Sequence, residues 1–240
     1  MKKIILSAAA LFLGTAIHAE SCATSVQGFY AGVNAGLQQS TGQLKWDFTG
    51  TQTFQKSSIG KKTFTGGLFA GYQMGVGSCM IVGGEVYGNF ANYNETIIDD
   101  IDVSGPTNTW ADKLQSKLNF GAKVRLGYTM SPRSILFLGL GAEYSSTTLK
   151  VEHVAHGTGV TVGEAVVKKT RKSINFAPSV GVDMFTNDQI FVRAEYTYVF
   201  PINMTIEQPF KTTAAAATKT SSHKVRFNNS RFTLGVGYKF

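Results

Sequence analysis

Beyond its first residues the chain has no apolar run of the roughly 20 residues that a membrane-crossing helix needs, which excludes a helical membrane protein. Cysteine is nearly absent. There are two in 240 residues, Cys22 and Cys79, so at most one internal disulfide can form. Proline is scarce as well, five residues against 26 glycines, a balance that fits many strands with close backbone approach. Ala19, Glu20 and Ser21 precede Cys22, and a glutamate there is wrong for a lipoprotein signal. The glycine-rich stretch 157–164, GTGVTVGE, lacks the lysine and the strand–helix setting of a phosphate loop and reads as a hairpin tip.

What is present begins with an export signal. Lys2 and Lys3 precede an apolar run from Ile4 to Ile17, and Ala19 is a small residue suited to cleavage. Residues 1–19 are expected to be removed, leaving 20–240 as one domain of about 221 residues. Export makes a disulfide feasible. The net charge of +8 suits phosphorylated lipid or acidic glycans, while export argues against nucleic acid as a partner.

The remainder alternates at period 2 in eight places, about 28–39, 63–74, 79–91, 114–128, 134–148, 174–185, 190–200 and 231–240. The last of these sets Phe232, Leu234, Val236, Tyr238 and Phe240 against Arg231, Thr233, Gly235, Gly237 and Lys239. Phe69 and Phe137 fall on otherwise polar faces, and Pro178 weakens the sixth strand unless a bulge absorbs its missing donor. Upstream of Arg231 the alternation reaches Val225 only with its parity reversed, so a bulge or loop is expected between them. Short connections (75–78, 129–133, 186–189) alternate with long ones (40–62, 92–113, 149–173, 201–230). Short turns at one end and long loops at the other fit an outer-membrane barrel, and an even strand count puts both termini on the periplasmic side.

A soluble sandwich or lipocalin alternates equally well. Three features favour the membrane. The polar faces are mostly Gly, Ser, Asn and Thr, which suit a narrow lumen. Aromatics recur near the ends of the apolar faces, as two girdles require, and the chain is exported. The expected fold is all-β, an eight-stranded antiparallel up-and-down transmembrane β-barrel.

GFYAGVNAG near the mature N-terminus, FAPSVGVDMF with TNDQ and IFVRAEYTYVF, and the closing RFTLGVGYKF resemble the small eight-stranded barrels grouped with OmpA, OmpX and the opacity-type surface proteins. The resemblance spans essentially the whole mature chain. It implies an outer-membrane location in a Gram-negative bacterium. It also implies that Thr233, Gly235, Tyr238 and Phe240 form the assembly signal read by the outer-membrane insertion machinery. No peptidoglycan-binding domain of the OmpA kind is expected to follow the barrel.

Nine charged residues share the polar parity: Glu85, Lys123, Arg125, Glu143, Asp183, Arg193, Glu195, Arg231 and Lys239. A lumen this narrow has room only for side chains, and buried charges need partners, so an ion-pair plug is expected. The alternative is a narrow path for small solutes or ions. Cys22 and Cys79 both project to the end bearing the short turns and are expected to form a disulfide. His153, His156 and His223 read as residues of solvated loops, with nothing to complete a metal site. A lipid-A-modifying barrel enzyme would need a strand-borne Ser–His pair that is not evident, so neither catalysis nor a cofactor is expected. The third long loop is basic (Lys150, Lys168, Lys169, Arg171, Lys172), the second is acidic, and TTAAAATKTSS in the fourth reads as mobile. Rim cations suit lipopolysaccharide phosphates. The expected role is that of a monomeric structural and surface-contact protein in outer-membrane lipid, whose loops meet host or environment.

Overall fold

The computed structural model describes residues 27–48, 54–76, 79–102, 107–155, 160–162, 166–212 and 215–240. They form one antiparallel sheet closed on itself. Its strands are β1 (Gly28–Phe48), β2 (Phe54–Val76), β3 (Met80–Asp102), β4 (Thr107–Ser131), β5 (Ser134–Ala155), β6 (Val160–Val162), β7 (Val166–Phe176), β8 (Ser179–Phe185), β9 (Ile190–Thr212) and β10 (Ala215–Lys239). Neighbours in sequence pair around the ring, and β10 closes it on β1 from Tyr30↔Lys239 to Phe48↔Ser221. β7 and β8 are two halves of one stave, broken at Ala177 and Pro178, and β6 is a short addition to β9, so the ring has eight staves as expected. Phe240 N donates to Phe29 O at 2.9 Å, tying the last residue to the first strand.

The outer wall explains the alternation. Phe29, Val33 and Leu37 on β1 point outward, as do Leu234, Val236 and Phe240 on β10, and similar side chains continue around the ring. Phe29 is 66% exposed and Phe240 75%. A continuous apolar belt of this extent is not a water-facing surface. In lipid it is favourable, and the ladder closes around the ring through most of the belt's height. The belt covers about nine residues of each strand, the length a tilted membrane strand needs.

The short turns lie where expected. In the last, Asn187 Oδ1 accepts from Gln189 N at 3.0 Å and from Ile190 N at 2.6 Å, an Asx-type turn that starts β9. The long connections do not. Most of each is continued strand, so that β1 is 21 residues long and β4 and β10 are 25. At about 3.3 Å per residue these strands run for roughly 70–80 Å, well beyond one bilayer. His153 therefore lies on β5 and not in a loop, and His223 is a fully buried residue of β10. TTAAAATKTSS falls largely within β10, paired with β9, which corrects the mobile-loop reading. Of the glycine-rich stretch, Val160–Val162 forms β6; its other residues, like His156, lie outside the described residues.

In this extension the apolar and polar residues exchange faces. Leu44, Leu114, Leu149, Val151, Ile202, Met204, Ile206, Val225 and Phe227 pack inward as a core, while Gln43, Lys45, Asn203, Thr205, Lys224 and Arg226 face out. On β10 the inward row Val225, Phe227, Asn229, Arg231, Thr233 is unbroken. The reversed parity upstream of Arg231 is thus a change in what fills one face, and β10 itself contains no bulge there. The extra residue is in its partner: Asn229 pairs with Val199 and Phe227 with Ile202, so β9 bulges at Phe200 and Pro201. Similar register shifts fall after Phe90 on β3 and before Asn119 on β4.

Candidate functional site: the lumen

The lumen of the belt is layered. Nearest the termini is a plug of Ile81, Ile135, Phe185 and Phe191, continued by Tyr30, Phe69 and Tyr87. It forms because the cross-strand partners of two of the rings are glycines, Gly237 opposite Phe191 and Gly32 opposite Phe69, which leave the rings space. A Cβ at Gly237 would overlap the Phe191 ring, and one at Gly32 would overlap that of Phe69. Phe69 and Phe137 are therefore lumen side chains, 3% and 1% exposed, and their position on the polar parity is meaningful.

Above the plug the charges pair. Glu85 on β3 is the hub. Its Oε1 lies 3.0 Å from Lys123 Nζ, and its Oε2 lies 2.6 Å from Arg193 Nη1 and 3.5 Å from Arg125 Nη1. Arg193 forks onto Asp183, with Nε–Oδ1 at 2.7 Å and Nη2–Oδ2 at 3.0 Å. Arg125 Nη2 reaches the same Asp183 Oδ2 at 2.7 Å. Lys123 also bonds Glu195. A second group joins Arg231 Nη2 to Glu143 Oε2 at 2.6 Å. Tyr30 accepts from Arg125 at 2.8 Å and donates to Glu85 at 2.9 Å, and Tyr87 donates to Glu143 at 3.1 Å. The guanidinium of Arg125 lies 3.8 Å from the Phe137 ring centre and that of Arg193 lies 4.2 Å from Phe69. Such desolvated contacts are each worth about 0.5–2 kcal/mol.

The structure thus brings together eight of the nine expected lumen charges, four of each sign and all buried. Lys239 lies at the rim, half-buried beside Phe185. Sequence reasoning misses the tyrosines and the cation–π rings, although all of them share the lumen parity. Beyond the charges comes a zone of Gln38, Asn89 Oδ1, Asn119 and Thr147, where buried side-chain polar atoms have no partner among the described residues and suit ordered water. A cavity lined by Asn34, Glu85, Asn89, Lys123, Glu195 and Arg231 has a volume of about 10 Å³, room for about one water. The apolar core of the extension lies past this zone.

The other expected sites fall elsewhere. Thr233 and Gly235 face the lumen, and Tyr238 and Phe240 face out at the belt's lower rim, their rings 5.2 Å apart. Cys79 is buried at the end that carries the termini; Cys22 lies outside the described residues. Lys168, Lys169, Arg171 and Lys172 are exposed on β7, and Lys150 is half-buried on β5 opposite Lys168.

Comparison with known proteins agrees with this architecture. A family model described as an outer membrane protein beta-barrel domain matches residues 6–240. The outer membrane protein OprG from Pseudomonas aeruginosa is similar in structure with a TM-score of 0.50 at 15% identity, over 89% of this chain and 96% of that one. Ail, the attachment invasion locus protein of Yersinia pestis, matches with a TM-score of 0.40 at 14% identity, over 89% and 99%. Neisserial surface protein A gives 0.39 at 16% identity, over 89% and 97%. No curated protein sequence matches the chain.

Proposed function

The chain belongs to the outer membrane protein β-barrel domain family, and from that premise we propose that it is a non-catalytic, non-conducting structural barrel whose extension makes surface contacts. One observation carries this reading: four buried cations and four buried anions neutralise one another between two apolar layers. An ion crossing such a lumen would have to pass both layers dry and displace paired groups. The belt anchors the protein in outer-membrane lipid, and the family places it in the bacterial outer membrane.

In this reading residues 1–19 are a cleaved signal, both termini are periplasmic, and the extension stands on the outer side as a monomer's contact surface for host or environment. Lys150, Lys168, Lys169, Arg171 and Lys172 meet lipopolysaccharide phosphates. Thr233, Gly235, Tyr238 and Phe240 are what the insertion machinery reads. The test is single-channel recording of the refolded protein in planar bilayers. The expected result is a silent bilayer after verified insertion. Stable, reproducible openings would replace this reading with that of a narrow porin.

A further inference from the structure

Above the belt the wall is open in two places among the described residues: β2 and β3 pair only from Thr65↔Ala91 to Val76↔Met80, and the second opening, beside β7, carries a cluster of cations. β7 pairs with β5 from Val166 to Phe176, and among the described residues no strand pairs with its other edge. Facing that edge, β9 pairs with β8 up to Thr197 and with β6 only from Phe210. Two prolines stand where the split begins. Pro178 O accepts from Tyr198 N at 2.9 Å, but Pro178 has no N–H to continue the ladder. Pro201 sits in the β9 bulge just above. Phe176 and Phe200 still meet across the split's lower edge, with ring centres 5.5 Å apart. The gap therefore opens directly above the belt's upper rim. It holds a cleft of about 430 Å³, lined by Val167, Lys168, Lys169, Thr205, Ile206 and Glu207. That volume lies within the usual range for small-ligand sites.

The sequence at this edge is KKTRK, residues 168–172. Strand alternation turns Lys168 and Lys172 outward, and Lys169 and Arg171 toward the lumen side. In a closed wall those two would press against Ile202, Met204 and Ile206, a costly burial of charge. The split leaves both exposed. Lys169 Nζ reaches across to Thr205 O at 2.7 Å and has further donors to offer. The lumen network is already neutral, so it makes no demand on these cations.

We propose that this cleft binds the phosphorylated sugar headgroup of an outer-leaflet glycolipid, with Lys169 and Arg171 reaching it from within the split and Lys168 and Lys172 from its lip. The height selects the lipid as source. Lys172 is two residues above Ile174, which is 75% exposed and the uppermost apolar outward side chain on β7 among the described residues. The split thus begins at the headgroup level, with Lys172 and Arg171 at its foot, and the cleft lies farther up, its lining starting at Lys169 about 16 Å along the strand from Ile174. The site rests on the outward placement of the extension proposed above. The competing explanation is that cations and prolines merely guard an open strand edge against pairing with other chains.

The mature protein in phospholipid nanodiscs separates the two. Native mass spectrometry would measure retention of bisphosphorylated lipid A and of the same lipid A after phosphatase treatment, for wild type, K169Q/R171Q and the charge-keeping K169R/R171K. The expected result is at least tenfold weaker retention of dephosphorylated lipid A, and a similar loss for K169Q/R171Q. The charge-keeping variant should stay near wild type. Heat-modifiable gel mobility confirms that each variant is folded. Equal retention of both lipids overturns the site. So does a K169Q/R171Q variant that binds normally but self-associates, the edge-guard outcome. A soluble sulfated polysaccharide that displaces lipid A from wild type at equal phosphate-to-sulfate ratios overturns the lipid assignment. Failure to insert into the nanodisc would instead overturn the membrane reading on which the site rests.

Discussion

Removing Arg193 tests the closed lumen most directly. Arg193 is fully buried and contacts both oxygens of Asp183 and one of Glu85. Replacing it with Met keeps much of the stem's packing near Phe69 but leaves four anions facing three cations. Breaking a buried pair in this way typically costs about 3–5 kcal/mol, because the abandoned charge keeps its desolvation penalty. Asp183 retains Arg125 at 2.7 Å and Glu85 retains Lys123 at 3.0 Å, so the low end, about 3 kcal/mol, is expected. The double variant R193M/D183N restores charge balance, and the amide oxygen it introduces can still accept from Arg125. It should recover at least half of the loss. Reversible urea unfolding in lipid vesicles, followed by tryptophan fluorescence and heat-modifiable mobility, measures both. A loss below about 1 kcal/mol for R193M would mean that these charges are solvated, as in a water-filled lumen. A double variant no better than the single would mean that packing, not charge, is what Arg193 supplies.

Four further outcomes follow from the same geometry. Gly237→Val should destabilise the belt by roughly 1–3 kcal/mol through overlap with Phe191, and adding Phe191→Leu should restore part of it in the same urea assay. Leu149→Asp places a charge in the extension's core and should expose the extension to protease while the belt keeps its heat-modifiable mobility. Thr148→Asp on the outer face should leave the extension resistant. Deleting Phe240 should slow assembly several-fold in vesicles containing the insertion machinery and much less in pure lipid; equal slowing in both would remove its role as a signal. Thiol titration of unreduced mature protein should find no free thiol, and peptide mapping should link Cys22 to Cys79; reduction should then lower stability by about 2–4 kcal/mol.

The belt is legible in the sequence because lipid and lumen impose opposite demands on alternate residues. Phe29 to Leu37 and Phe232 to Phe240 show this without further information. The lumen charges are legible for the same reason, and eight of the nine converge. Their partners are not, because pairing depends on the stagger between strands. Glu85 meets Arg193 across 108 positions of sequence, and no local pattern encodes that contact. Lys239 has the right parity but sits at the rim. The extension reads as loops because its alternation is inverted: at Leu44, Val225 and Phe227 the apolar residue occupies the face that a few residues away carries Gly42, Asn229 and Arg231.

That inversion is itself a measurement of the solvent. Along β1 the outward residues change from Leu37 to Gln39, along β5 from Tyr144 to Ser146, along β7 from Ile174 to Lys172 and along β10 from Phe232 to Ser230. A strand in lipid hides its polar side chains inside the barrel, and a strand in water hides its apolar ones. The strands cross this boundary in two ways. β1, β5 and β10 keep one face inward throughout and change only what stands on it. β3, β4 and β9 bulge at Phe90–Tyr93, Ser116–Asn119 and Phe200–Pro201, within a few residues of their last belt side chain. A bulge shifts the parity by one, so on β9 both Val199 and Ile202 turn inward although three positions apart. Three bulges gathered at the level where the surface changes character argue that it marks the membrane's edge. The β7–β9 split begins at the same level, where Pro178 lacks the donor that would have carried the ladder upward.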